Sequence, residues 1–313
     1  MSGISPLYGN IKLYCTITSD IHIDIKHPMP WLPKYILKQS LKDSQNAAKR
    51  ADAYISVGDT TSRGSDINWE MAKSCFKKYS PAKNLLLAVG NHDLWGDDEF
   101  PEIIARFCRK VNDICGGNRE TTYFSALLNG YKLIFLGSDD DAGCEAQISD
   151  EQMEWFKKEM AEGGATGKPI FVFCHQSLNG RHGLPRTWDR HEKPDRAPDE
   201  GGIGARSDEV AAILKQYKNV FYFSGHSHMG LGGENCLLSE GYSTFEQEDG
   251  VTLINLPSLS NGNHHGETPE IGMGVMLEVY EHRVVIRPRS FLKHRWNKSI
   301  IIKDGKPYFE CII

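Results

Sequence analysis

The sequence predicts a layered α/β fold, and two observations support this class. Short runs of near-continuous apolar character recur along the chain, which is typical of strands buried on both faces of a sheet. Segments with helical periodicity lie between several of these runs. Because helices that alternate with strands pack against the faces of a sheet, the pattern indicates a sheet covered by helices.

Seven apolar runs predict strands, and three segments between them predict helices. In chain order, the strands read KLYCTIT, AYISV, NLLLAV, KLIFLG, PIFVFC, VFYFS and VTLIN. The helices are predicted at residues 35–50, 66–79 and 149–160. The last of these begins with Ser149 and Gln152 in the spacing of a capping box, which marks the start of a helix.

The end of the chain predicts antiparallel strands. Residues 272–291 read as two strands joined by a tight turn at Glu281 and His282. Residues 298–313 read as a second hairpin around Asp304 and the glycine that follows it. We therefore expect extra antiparallel C-terminal hairpins on the fold.

We expect a single domain over residues 1–313, because the sequence shows no internal repeat, low-complexity segment or obvious linker. One stretch stands apart: residues 176–206 are polar, rich in Gly, Pro and Arg, and too long for an ordinary connection. The prediction is therefore one domain with an inserted loop at 176–206 and a C-terminal strand extension at about 272–313.

Composition favours a small-molecule partner over nucleic acid or membrane. The chain has 313 residues, 40% of them hydrophobic, and a formal net charge of −5, so it has no overall basic field. No run approaches the roughly 18 apolar residues of a membrane span, and the first residues lack a signal-peptide pattern, so we expect a cytoplasmic location. The eight cysteines include no CxxC pair, which favours reduced thiols. The oligomeric state is left open.

Polar residues follow five of the predicted strands at the point where each strand ends. In chain order they are Asp20 and His22, Asp59, Asn91 with His92 and Asp93, His175, and His226 with His228. Because ligands bind at the carboxyl ends of strands in open α/β sheets, these side chains are expected to meet in one crevice. Gly58, Gly90 and Gly225 each precede a candidate ligand, where a residue without Cβ permits a close approach.

The residue types at these strand ends suit a metal site. Carboxylates, one amide oxygen and several imidazoles form a set of hard oxygen and borderline nitrogen donors, which first-row divalent metals prefer. Taken alone, each motif is weak, and an isolated histidine is more often structural than a ligand. Their accumulation at five strand ends predicts a functional metal centre.

The series Asp20-x-His22, Gly58-Asp59, Gly90-Asn91-His92-Asp93, His175 and Gly225-His226-x-His228 resembles the calcineurin-like metallophosphoesterase superfamily. The resemblance holds in order and approximate spacing over roughly residues 13–260. It implies a four-layer sandwich of two mixed β-sheets flanked by helices, with a dinuclear metal centre at one sheet edge. The whole chain would then be a single calcineurin-like metallophosphoesterase domain.

The resemblance also assigns roles by position. It implies that Asp20, His22 and His228 hold one metal ion, that Asn91, His175 and His226 hold the other, and that Asp59 bridges both. His92 would donate to a phosphoryl oxygen or protonate the leaving group, and Asp93 would orient it. For Asp93, a helix N-cap or a solvated carboxylate remains the alternative.

Two cations roughly 3.5–4 Å apart lower the pKa of a shared water and clamp phosphoryl oxygens, so a metal-bridging hydroxide is expected to attack phosphorus directly. The ions would be divalent or trivalent Mn, Fe or Zn, and the sequence does not choose among them. We expect hydrolysis of a small phosphate ester. A phosphodiester is favoured because no cationic residue stands immediately beside the ligands.

Three alternatives to this function stay open. The same fold would suit a phosphomonoesterase, or a scaffold that has lost catalysis, although every expected ligand is present. A nuclease would need a basic stripe with interleaved aromatics. Residues 287–298, RPRSFLKHRWNK, come nearest to such a stripe but read more simply as solvated basic residues over a strand and its exit.

Substrate contacts are predicted in segments outside these motifs. The candidates are Trp95, Arg181, Arg186, Trp188, His264 and His265. Arginines grip phosphate bidentately, and tryptophans stack on rings. The alternatives are a solvated loop with internal ion pairs for residues 176–206, a turn for the two histidines and a core position for Trp95.

Overall fold

The structure, a computed structural model, describes residues 6–45, 51–79, 83–140, 143–181, 201–233, 244–263, 268 and 270–313. Within these ranges the strands are β1 (Leu13–Thr18), β2 (Ala53–Val57), β3 (Asn84–Ala88), β4 (Phe124–Leu128), β5 (Tyr131–Phe135), β6 (Ile170–Phe173), β7 (Val220–Ser224), β8 (Phe245–Glu248), β9 (Val251–Asn255), β10 (Met273–Val279), β11 (Arg283–Ser290), β12 (Arg295–Trp296) and β13 (Phe309–Ile312). The α-helices are α1 (Trp31–Gln45), α2 (Asp66–Tyr79), α3 (Phe100–Cys115), α4 (Asp150–Gly164) and α5 (Ser207–Leu214).

The first sheet joins the start of the chain to its end. Its strand order is β12-β11-β10-β1-β2-β3. Strands β1, β2 and β3 run parallel, whereas β10 is antiparallel to both β1 and β11. Strands β12 and β13 both pair with β11 on the side away from β10, at its last and first residues respectively. The sheet is therefore mixed, with a parallel half and an antiparallel half.

The second sheet has the order β4-β5-β6-β7-β9-β8. Its four central strands run parallel, and the two edge strands are antiparallel to their neighbours. Every residue of β6 and β7 is buried, as the continuous apolar runs predict. Phe173 stacks on Phe135 and on Phe223, with ring centroids 4.6 and 5.1 Å apart, so aromatic stacking links three neighbouring strands.

Three apolar cores separate four layers. The central core lies between the sheets and combines residues such as Ile17 and Ile55 of the first sheet with Phe173 and Phe223 of the second. The other face of the first sheet packs against α1, α2 and α3, and the other face of the second packs against α4 and α5. The predicted four-layer sandwich of two mixed sheets flanked by helices is confirmed.

Helix α4 begins after Ser149, as its sequence predicts, but the Gln152 side chain has a different role from the one expected. The backbone N–H of Gln152 donates to Ser149 Oγ over 3.2 Å. The Gln152 side chain does not complete the capping box. It forms two hydrogen bonds with the backbone of Gly137, 3.1 and 2.8 Å long, and so ties the helix to the end of β5.

Helix α3 was not predicted, although its signals are ordinary. Pro101 lies in the first turn, where a missing N–H does no harm. Ile103, Phe107 and Val111 are buried and recur every four residues, which is the spacing of one helix face. The pattern was therefore present in the sequence.

The first C-terminal hairpin pairs as the sequence predicts, whereas the strand after the second turn pairs differently. Strands β10 and β11 pair across a turn at Glu281 and His282. The turn at Asp304 appears as an isolated bridge between Lys303 and Lys306, but β13 pairs with β11 rather than with residues before the turn. Burial explains the difference, because this pairing carries Phe309 into the central core against Phe245.

Two further expectations concern single features of the chain. No helix among the described residues is long and apolar enough to cross a membrane. The cysteines in the described ranges are all free thiols, as their spacing predicts.

Candidate metal centre

The carboxyl ends of five strands meet at one rim of the sandwich. Strands β1, β2 and β3 come from the first sheet, and β6 and β7 come from the second. Backbone hydrogen bonds join the loops that follow them: the N–H of His22 donates to Asp59 O over 2.9 Å, and that of Gly225 donates to His175 O over 2.9 Å. The predicted meeting of the five motifs is therefore present, and the backbone itself holds the loops together.

Two glycines allow this close approach. A Cβ atom built on Gly90 would lie 2.1 Å from Asp59 Oδ1, and one on Gly225 would lie 1.9 Å from Ser19 Oγ and 2.5 Å from Asp20 Oδ2. Any side chain at either position would collide with a carboxylate of the centre. These glycines are therefore needed because the loops pack closely here. A glycine in a turn does not by itself indicate such close packing.

Many of the candidate ligands sit in a strained backbone conformation. Positive φ angles, between 48° and 67°, occur at Asp20, His22, Asp59, His226 and His228. Non-glycine residues adopt such angles rarely, at about 1–3 kcal/mol each, and they cluster at functional sites. The strain turns these side chains inward from the strand ends to a common point.

Asp20, His22 and His228 form the first group of candidate ligands. His228 Nε2 lies 3.1 Å from Asp20 Oδ1 and 3.0 Å from His22 Nε2. His22 Nε2 lies 3.7 Å from Asp20 Oδ1 and 3.5 Å from Asp59 Oδ2. Ring nitrogens and carboxylate oxygens thus face one another across the space that one ion would fill.

Asp59, His175 and His226, with Asn91 beside them, form the second group of candidate ligands. One donor atom from each of Asp59, His175 and His226 lies within 4.8 Å of the others, and His175 Nε2 is 3.2 Å from Asp59 Oδ2. Asn91 Oδ1 is buried and accepts no hydrogen bond from the described residues. A buried acceptor without a donor is destabilising, and a cation satisfies it. The residues present therefore fit a metal ion here.

The electrostatics of the centre favour ionised carboxylates. Burial alone raises the pKa of Asp20 and Asp59, but the neighbouring His228 and His175 outweigh it. The pKa of each carboxyl group therefore lies below its ordinary range. Both side chains are available as anionic ligands at neutral pH.

The imidazoles of the centre divide by the direction in which their pKa is shifted. Burial lowers the pKa of His22 and His226, which keeps them neutral and ready to bind a metal ion. At His175, burial also acts to lower the pKa, but Asp59 and Asp20 outweigh it and raise the pKa to about 9. A metal ion at this position must therefore displace a proton.

His92 lies beside the ligands with its ring fixed on three sides. Its Nδ1 is 2.9 Å from Ser62 O, and because a carbonyl only accepts, Nδ1 carries the proton. The ring packs edge-on to His22 at 4.8 Å and against Trp95 at 3.7 Å between centroids. This leaves Nε2 as the ring nitrogen available to a substrate.

Asp93 does not orient His92 in the way expected from the sequence. The carbonyl of Ser62 makes that contact. The Asp93 carboxylate instead accepts hydrogen bonds from the backbone N–H groups of Thr60, Thr61 and Gly90, over 2.8 to 3.2 Å. Asp93 therefore fixes the loops after β2 and β3, and through them the positions of Asp59 and Asn91.

A polar brace after β9 was missed from the sequence. Asn255 accepts from Ser227 Oγ over 2.9 Å and donates to Gly225 O over 3.2 Å, which holds the turn between the last two histidines. Ser258 Oγ donates to Asp20 O over 3.1 Å. The signals in the sequence are the asparagine that ends VTLIN and the polar run that follows it.

The predicted substrate residues have different outcomes. Trp95 is 43% exposed, so it is not an ordinary core residue. Arg181 Nε pairs with Glu248 Oε2 of β8 at 2.8 Å, an ion pair with a residue outside the inserted loop rather than within it. The remaining four candidates, Arg186, Trp188, His264 and His265, lie outside the described residues, as does most of the inserted loop.

The model of the calcineurin-like phosphoesterase family matches residues 14–230. The chain belongs to this family. The resemblance seen in the sequence is thereby confirmed, and membership supports a metal-dependent phosphoester hydrolase in general terms. Two metal ions are the rule in this family, and the two groups of ligands described above are where this chain would hold them. No curated protein sequence matches the chain significantly.

Two solved structures are similar to this chain. A dimetal phosphatase from Danio rerio matches with a TM-score of 0.59 at 11% identity, over 90% of this chain and 97% of that protein. A conserved uncharacterized protein from Streptococcus pneumoniae, described as a predicted phosphoesterase, matches with a TM-score of 0.43 at 11% identity, over 96% and 98% of the two chains. At such low identity the first likeness shows a shared fold and nothing further.

Asp59→Asn is expected to lower metal content together with activity, because Asp59 faces donors of both ligand groups. Activity should fall by about 10²-fold with Mn²⁺ present. Elemental analysis of purified protein measures the metal content. Asp24→Asn is the matched control, since Asp24 lies in the loop after β1 and its carboxylate contacts Lys26 and Asn68 rather than any candidate ligand. Two ions at full occupancy in Asp59→Asn would contradict the bridging role.

Metal binding is expected to release protons and to strengthen as pH rises. With a pKa of about 9, His175 is protonated at neutral pH in the metal-free site, so each ion bound there displaces a proton. Calorimetric titration with Mn²⁺ in buffers of different ionisation enthalpy counts the protons released. His282→Gln, at an exposed turn, should leave the count unchanged, whereas a pH-independent affinity with no proton release would refute the assignment.

Proposed function

We propose that the protein hydrolyses a small phosphodiester with the help of two transition-metal ions. The observation that carries the proposal is the convergence of seven ligand side chains beside a histidine that is free to meet the substrate. When bound, the ions activate a water molecule and offset the negative charge of the phosphoryl oxygens. Mn, Fe and Zn all suit this set of oxygen and nitrogen donors.

His92 is proposed to act on the substrate rather than on a metal ion. A nitrogen of its ring lies within 4.8 Å of donor atoms of His22 and Asp59, so a phosphoryl group at the centre would come within its reach. Ser62 and Trp95 prevent the ring from turning away. Because Nδ1 already donates to Ser62 O, the imidazolium form of His92 would donate the proton on Nε2 to a phosphoryl oxygen or to the leaving group.

A cleft of about 770 Å³ opens beside Trp95 and would receive the leaving group. A volume of this size suits a small molecule. The charges that line it balance: Lys26, Arg63 and Arg106 are cationic, and Asp97, Asp98 and Glu99 are anionic. The cleft therefore favours a neutral or dipolar leaving group, with Trp95 as its apolar wall.

This balance of charge supports a diester over a monoester. A diester carries one negative charge, whereas a monoester near pH 7 carries about −1.5 to −2 and gains more from additional fixed cations. Residues next to the ligands, such as Ile21, Thr60 and Ser227, carry no charge. Arg106 is itself engaged by Asp98, so the cleft adds little positive potential.

His92→Ala is expected to lower kcat by about 10²-fold while both metal ions are retained, because it removes a proton donor and no ligand. Steady-state kinetics with Mn²⁺ and elemental analysis on the same sample separate these effects. His282→Ala controls for the loss of one imidazole far from the rim. A turnover equal to that of the unmodified enzyme would exclude His92 from the reaction.

The enzyme is expected to prefer diesters at every pH between about 6 and 9, since the site offers few cations beyond the metal ions. Parallel assays with bis(p-nitrophenyl) phosphate and p-nitrophenyl phosphate, both with Mn²⁺, measure the ratio of kcat/KM. A higher kcat/KM for the monoester across this range would show that the substrate class is wrong. Activity on neither compound, with both metals bound, would favour the catalytically silent scaffold.

A further inference from the structure

A second cavity lies on the same edge of the first sheet as the metal centre, but several strands away. Its volume is about 440 Å³, and it is lined by Arg289 at the end of β11 and by residues 294–299. The strand order places β12 three strands from β1, which corresponds to about 14 Å at the usual strand spacing. The cavity is lined mainly by residues of the basic run 287–298. No residue of this run takes part in the metal centre.

The charges that line this cavity suit an anion. No carboxylate occurs among the described residues that line it. Arg289 is bound by Asp43 through two contacts of 2.6 and 2.9 Å, so its charge is neutralised. Arg295 and Lys298 are exposed and form no ion pair with any residue of the described ranges. Two uncompensated cations therefore face the cavity.

Asn297 adds a buried donor that has no acceptor. The side chain is 6% exposed, and its Oδ1 accepts the backbone N–H of Ser299 over 2.9 Å. This contact distinguishes the oxygen of the amide group from its nitrogen. Its Nδ2 is buried and has no hydrogen-bond partner among the described atoms. Such a donor is destabilising unless a bound group accepts from it.

Trp296 does not offer a free ring face for a base. The Arg287 guanidinium stacks on the ring at 3.4 Å, and that of Arg289 lies 5.0 Å from its centroid. Stacking of nucleic-acid bases needs open aromatic faces. The ligand is therefore recognised through its negative charge and its hydrogen-bond acceptors.

We propose that this cavity binds the phosphate group of a small molecule, at a site separate from the metal centre. Arg295, Lys298 and Asn297 Nδ2 supply two charges and several donors, which suits an oxyanion with several acceptor oxygens. Inorganic phosphate and a phosphorylated metabolite present the same group. The site does not depend on the proposed phosphodiesterase activity, because it contains no metal ligand.

The test is calorimetric titration of the Mn²⁺-loaded protein with inorganic phosphate and, separately, with glycerol-phosphonate as a stable mimic of a phosphorylated metabolite. Apart from phosphate bound at the metal centre, we expect one further site, with a Kd of about 1 mM or tighter, that persists in Asp59→Asn. Asn297→Asp keeps the acceptor for Ser299 but removes the donor, and should weaken this site by about 10-fold or more. Arg295→Ala with Lys298→Ala should do the same.

Lys218→Ala with Lys293→Ala is the matched control, since both lysines lie outside the cavity and the loss of charge is equal. Thermal unfolding checks that each variant is folded. Tighter binding of the phosphonate than of phosphate would identify a metabolite as the ligand, and the reverse would identify free phosphate. The proposal is overturned if phosphate binding vanishes in Asp59→Asn, if the cavity variants bind normally, or if an oligonucleotide binds more tightly than both probes and is lost in the double variant.

Discussion

The burial of two carboxylates among four imidazoles is the constraint on which the rest of the rim depends. Asp20 and Asp59 are almost fully buried, and ionised carboxylates are stable in such a place only when cations or many donors face them. The imidazoles of the centre can serve as cations only when protonated, which burial opposes at His22 and His226 by lowering their pKa. Bound metal ions would resolve this conflict for all the candidate ligands at once.

The sandwich fixes the ligands by imposing strain on them. Positive φ angles at five ligand positions require surroundings that hold the backbone in place, and the two sheets provide those surroundings from opposite sides. Asp93 joins the loops after β2 and β3, and Asn255 braces the turn between His226 and His228. Polar residues that touch no substrate thus determine where the ligands point.

The rim shows two different ways of recognising an anion. At the metal centre, cations would come from bound ions, and the protein contributes oxygen and nitrogen donors around them. The cavity at the end of β11 uses fixed side-chain cations and an amide donor, and has no carboxylate among its described lining residues. Between these extremes, the cleft beside Trp95 has balanced charges. This graded charge is the basis on which we propose a diester substrate at the metal centre and a phosphate ligand at the second cavity.

The sequence by itself determined the layered α/β class, most strands and the set of candidate metal ligands, because apolar runs and polar strand ends are local signals. Helix α3 has an equally local signal in the sequence, although it is not among the predicted helices. The tertiary structure alone decided that β13 pairs with β11, that Ser62 rather than Asp93 orients His92, and that Arg181 is held by Glu248. Each of these depends on residues distant in the chain, whose contacts are set by burial and hydrogen bonding in the folded protein and leave no pattern in the sequence.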